Sequence, residues 1–176
     1  MDAAQSQHLA RVRHLRESFA EANERLVARL RKTADDVVQR PVEGGWSAAQ
    51  IGWHVAAVTT RFARIMSGEV EAAQPLRSEF RERQWDEIAA GVPPRATAPP
   101  QVVPPSGVSK SDAIAALESS ATKMAHALDT LTPERGGRMG ITHAVVGTIS
   151  LYQLGEWATA HVIRHNRQAK RVLGEG

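Results

Sequence analysis

His161 and His165 stand four residues apart in a stretch, Glu156 to Gln168, that reads as one helix. At 3.6 residues per turn, positions four apart share a face, so the two imidazoles point the same way and can meet one ligand. A helix presents two nitrogens to a metal ion in this manner. The face is an inward one. Leu154, Ala158, His161, His165, Gln168 and Val172 follow at steps of three and four, the stripe that a bundle helix turns toward its neighbours. Such a pair arises readily by chance, so the signal gains weight only from a further inward histidine on another helix.

His54 meets that need. Ile51, His54, Val55, Val58 and Phe62 form the buried stripe of an earlier helix. Alone, a histidine there is more often a core residue satisfied by a carbonyl or water; beside the pair that reading loses ground and His54 becomes a candidate third ligand. Three protein ligands leave one coordination position for water or substrate, as catalytic metal sites do. All-imidazole ligation suits Zn, Ni, Fe or Cu better than Mg or Ca, without choosing among those four. A divalent ion there would lower the pKa of water, giving hydrolysis, or of a small thiol, giving S-transfer. Gln50, Gln153, Glu156 and Gln168 are candidates to orient the rings, Gln50 being four residues before His54. The sequence offers no general base, and Glu156 reads as facing solvent.

These residues need helices to position them. Val12, Leu15, Phe19, Ala22, Leu26 and Leu30 mark a long amphipathic helix from about Gln5 to Val38, ended by Arg40-Pro41 and Gly44-Gly45. His8 and His14 lie in its charged first part and read as surface histidines. Ser47 and Gln50 form a capping box, with Trp46 and Ile51 as its hydrophobic staple, and open the helix of His54. Residues 68–108 change character. A short charged helix is expected within Pro75 to Ala90, and six prolines fall between Pro93 and Pro105. This segment reads as a crossover along the outside of the bundle, a spacer rather than a lid.

A third helix begins near Ser109 or Ser111 and runs to Leu131, where Thr132-Pro133 stops it. Its His126 is set aside because Met124 and Leu128 carry the apolar phase. Glu134 to Gly140 reads as a loop whose glycines exclude a helix. Ser150 and Gln153 then repeat the capping-box syntax, with Ile149 and Leu154 as staple, so the last helix spans about Leu151 to Leu173. The fold class is all-α: a four-helix bundle with a long proline-rich crossover between its second and third helices.

A chain of 176 residues, 42% hydrophobic, is expected to form one domain over residues 1–176. It has no cysteine, which removes disulfides and thiol catalysis by the protein itself. Neither a signal peptide nor a membrane span is evident, so a cytoplasmic location is expected. The formal charge is +3, and the basic residues are interspersed with acidic ones. That pattern gives no nucleic-acid footprint, and Arg164, Arg167 and Arg171 read as a solvated helix end.

Two segments resemble a known family. Gly45-Trp46-Ser47-Ala48-Ala49-Gln50-Ile51-Gly52-Trp53-His54-Val55 is similar to the segment entering the second helix of the DinB-like (damage-inducible) four-helix-bundle proteins. His161-Val162-Ile163-Arg164-His165-Asn166-Arg167-Gln168 is similar to their closing His-x-x-Arg-His-x-x-Gln pattern. The resemblance implies an up-down-down-up bundle, a homodimer, and a divalent metal held at His54, His161 and His165. It also implies a small-molecule substrate: some relatives are S-transferases or isomerases that use a low-molecular-weight thiol, others metal-dependent hydrolases. Relatives commonly carry an apolar residue in place of Asn166 and a proline in place of Ala144, departures that bear on substrate choice more than on the metal. The competing reading is a non-enzymatic dimeric stress-response or interaction bundle with a structural metal or none.

Overall fold

Apolar residues at helical spacing become long helices, and polar caps fix where they start. A computed structural model describes residues 3–91 and 98–175 of the chain. In chain order the elements are α1 (Ala3–Lys32), α2 (Asp35–Gln39), α3 (Ala48–Ser67), β1 (Gln74–Pro75), α4 (Trp85–Ala90), a single 3-10 turn (Pro100–Val102), α5 (Lys110–Asp129), α6 (Pro133–Arg138), β2 (Met139–His143), β3 (Gly147–Ser150) and α7 (Leu151–Val172). The structure is predominantly helical, and no described helix is long and apolar enough to cross a membrane.

The long helices α1, α3, α5 and α7 pack around one core, in which Leu26, Leu30, Ile51, Met66, Leu117, Met124, Leu128 and Leu154 are almost wholly enclosed. Cross-helix contacts give their directions. His8 meets Tyr152 and Arg29 meets Asn166, so α1 and α7 run parallel. Arg16 pairs with Asp129 and Arg31 with Glu118, so α5 runs against α1. Gly52 faces Ala113 and Leu117 near the starts of α3 and α5, which therefore run together. The order is up, down, down, up.

The caps act largely as their residues dictate. Ser47 and Gln50 exchange both hydrogen bonds of a capping box at the start of α3, at 3.1 and 2.9 Å. Ser109 accepts from the Asp112 amide, fixing α5. At α7 only half of the expected box forms: Ser150 accepts from the Gln153 amide, but the Gln153 side chain turns away to donate to the Arg83 carbonyl.

Several expectations are corrected. The first helix does not run to Val38: Ala34 is extended, and the chain restarts as α2. The Lys110 ammonium takes the freed Thr33 carbonyl at 2.8 Å and the Asp35 carboxylate at 3.0 Å, so the break is satisfied from α5. The helix expected within Pro75 to Ala90 shortens to Trp85–Ala90. Ahead of it, Glu82 and Arg83 are spent on Arg11, Ser150 and the Val146 carbonyl.

The glycines after Glu134 do not exclude a helix. Thr132 caps and Pro133 opens α6, which contains both Gly136 and Gly137. Gly136 is there for room, since a Cβ on it would lie 2.3 Å from the Tyr152 ring. His8 is buried, not superficial, with Nδ1 2.6 Å from the Tyr152 hydroxyl. His14 and His126 are exposed as expected.

The sequence reading gave no strands, yet β1, β2 and β3 form a small antiparallel sheet in that order, with Ile141 opposite Ile149 and His143 opposite Gly147. The crossover is also more than a spacer. In its described part Val102 is buried and the Pro105 carbonyl accepts from Gln50, so residues 98–108 lie against α3. Pro93 and Pro94 fall outside the described residues.

Candidate metal centre

α3 carries His54 inward two turns after its cap, and α7 carries His161 and His165 one turn apart on the face turned to α3. Antiparallel packing brings the two helices' histidines to one level. The ring centroids lie 5.2 Å apart for His54 and His161, 4.8 Å for His54 and His165, and 4.4 Å for His161 and His165. One nitrogen from each ring falls within 4.8 Å of the other two. All three residues are at most 9% exposed.

Their hydrogen bonds set which nitrogen each ring can offer. His54 Nδ1 lies 2.7 Å from the Val102 carbonyl, which only accepts, so Nδ1 carries the proton and Nε2 keeps its lone pair. His165 Nδ1 lies 2.8 Å from Gln168 Oε1, giving the same assignment. Arg164 Nη1 lies 3.0 Å from His165 Nε2, a donor against the free lone pair. His161 Nδ1 is buried with no hydrogen-bond partner among the described residues. A buried polar atom left so is costly in a protein interior, and the three rings lie close enough for one nitrogen from each to share a cation.

Electrostatics keep the rings neutral. Burial, followed by the positive fields of neighbouring histidines and Arg164, holds His161 well below the ordinary histidine range. Burial and then His54 and Arg164 bring His165 down to about 3. Burial also lowers His54, against a raising contribution from its bond to Val102. Neutral imidazole is the metal-binding form, so the donor set fits a divalent transition ion.

The expected orienting residues divide. Gln168 holds His165, whereas Gln50 is committed to its cap and Pro105, and Gln153 to Arg83. Glu156 does not face solvent freely. Its carboxylate is half-buried against Arg11, at 3.0 Å, on the α1 side of α7. Burial raises its pKa, and Arg11 opposes the rise.

The triad opens onto a cavity of about 1060 Å³. Val58, Phe62, Ile65 and Trp157 form an apolar wall, and Ala98 to Val102 of the crossover close another side. The Trp46 ring packs on His54 at 4.9 Å. The hairpin of β2 and β3 brings in His143, whose ring lies 5.1 Å from that of Trp157. The Val145 amide donates to His143 Nδ1 at 3.2 Å, which leaves the proton of the neutral ring on Nε2, and burial lowers its pKa.

Sequence reasoning missed the Val102 carbonyl, His143, and the placing of Arg61, Arg164 and Arg171 around the cavity. Arg164 stands in the closing motif, and its spacing to His161 and His165 was the available signal. Val102 and His143 gave none, since each arrives from a distant segment. Compared with known proteins, the chain matches the family model described as DinB superfamily over residues 9–169. No curated protein matches it.

Proposed function

The chain belongs to the DinB superfamily, and from that premise we propose that it is a metal-dependent enzyme in which His54, His161 and His165 hold one divalent transition metal ion, Zn or Ni before Fe or Cu. The observation that carries the reading is the meeting of three buried, neutral imidazoles on the wall of an open cavity. Structural sites are closed by four protein ligands, while three ligands facing a cavity leave room for a reactant. When bound, the ion supplies Lewis acidity that makes a nucleophile of water or a small thiol near neutral pH.

The chain's own residues do the rest. The Val102 carbonyl and Gln168 keep the protons of His54 and His165 on Nδ1 and hold the rings in place. The apolar wall seats a carbon skeleton and limits water on that side. His143 offers a neutral Nε2–H to a substrate oxygen or a departing group. Among the described residues no carboxylate lines the cavity, so no Asp or Glu serves there as general base.

Protein purified without an affinity tag should contain close to one transition metal ion per chain, and His161→Ala should lose it. Metal content unchanged by that substitution would defeat the reading.

A further inference from the structure

We propose that two copies of this chain dock through the groove between α1 and α5, related by a two-fold axis that passes α1 midway between Arg13 and Glu17. The inference goes beyond the metal-centre reading and does not rest on it, since among the described residues none from α1 or α5 lines the metal cavity.

The groove is open and mostly apolar. It encloses about 550 Å³ over a floor of Val12, Phe19 and Leu128, and Ala20, Ala121 and Ala125 leave one end wide. At the other end stands Leu9, at 48% the most exposed large apolar side chain among the described residues. Helical rise relates the two ends. Antiparallel pairing of α1 with a copy of itself about that axis sets position 9 opposite position 21, next to Ala20 and about 9 Å from the axis. Arg16 meets Asp129 across the groove, and α1 and α5 run in opposite directions, so Ala125 lies level with Ala20. The leucine of each copy thus meets the alanine-lined end of the other's groove, and the contact repeats by symmetry.

Charge favours a second copy as the occupant. Where the chain places an acid four positions before an arginine, the two close on each other: Glu21 with Arg25, and Asp36 with Arg40. Arg13 and Glu17 stand in the reverse order, which pairs less well within a helix. Both are exposed on the rim of the groove, and neither makes an ion pair or a hydrogen bond among the described residues. Across the axis, Arg13 of one copy faces Glu17 of the other, twice over. The other charges on the rim, Arg16 and Asp129, already neutralise each other at 2.8 Å, so two copies meet without net repulsion.

Sedimentation equilibrium of the full chain tests the contact, with chelator present so that the metal centre plays no part. A contact of a few helical turns is small, so a reversible dimer with a micromolar dissociation constant is expected over about 1–300 μM protein. Arg13→Glu and Glu17→Arg each set like charges against each other at both symmetry-related contacts, and each should raise that constant roughly tenfold. Leu9→Gln should raise it by about as much. All three side chains are exposed, so melting temperatures should stay at the wild-type value. Mixed in equal amounts, Arg13→Glu and Glu17→Arg present only opposite charges to one another, and the dimer should return to within about threefold of the wild-type constant. A chain that stays monomeric over the whole range overturns the proposal. So does a dimer indifferent to all three substitutions, which would use another face. Two weakened variants whose mixture stays apart overturn it as well, because Arg13 and Glu17 would then not face each other across an axis.

Discussion

At the scale of single residues, the three inward histidines were legible because helical period and the cap at Ser47 fix their register. What holds them was not. Val102 lies 48 positions from His54, and only the path of the crossover brings its carbonyl within 2.7 Å. Gln168 was legible because it lies three positions from its partner, one helical turn away. Replacing Gln168 by Ala should therefore weaken metal affinity roughly tenfold to a hundredfold while stoichiometry stays near one, read by competition with a coloured chelator. Burial of the rings also fixes a pH window. Unfolded imidazoles take protons near 6.5, whereas folded His165 resists protonation down to about 3. Between these values the unfolded chain binds more protons, so this stabilisation is complete above about 6.5 and drains away as pH falls toward 3. The urea midpoint of metal-free protein should be level from pH 7 to 8 and fall below that, less steeply in His165→Asn. Identical slopes in the two proteins would contradict it.

At the scale of elements, α3, α5 and α7 were readable nearly to the residue, because apolar periodicity and serine caps agree. The hairpin was hidden. Ile141, Thr142, Val145, Val146, Thr148 and Ile149 are β-branched or apolar residues suited to strands, but a glycine-rich approach masked the alternation. α6 was hidden for the opposite reason: its glycines serve contact with Tyr152, a relation between segments that no local pattern carries. Gly136→Ala would drive a methyl into that ring and should cost about 1–3 kcal/mol, measured by urea unfolding. Ser47→Ala removes one bond of the capping box and should cost about 1 kcal/mol. Its secondary effect belongs to the site, since the same cap sets the register of His54.

At the scale of the whole molecule, the proposed centre would link metal and fold through two helices that run in opposite directions. An ion held at His54, His161 and His165 would bind the native arrangement and not the unfolded chain, so free metal at a hundred times its dissociation constant should add about 2.7 kcal/mol. For a chain of this length that corresponds to a rise in melting temperature of roughly 5–10 °C. The rise should vanish with chelator and in His161→Ala. A melting curve indifferent to chelator would mean that the bundle owes nothing to the centre.

Because the partner of His54 is a main-chain oxygen, no side-chain replacement at position 102 can abolish it. Exposed positions along this stretch can change identity and keep the acceptor, so long as buried Val102 stays apolar, whereas inserting or deleting one residue would slide the oxygen out of reach. Chain length in the crossover is thus a quantity that heredity must preserve there, beside the one apolar anchor.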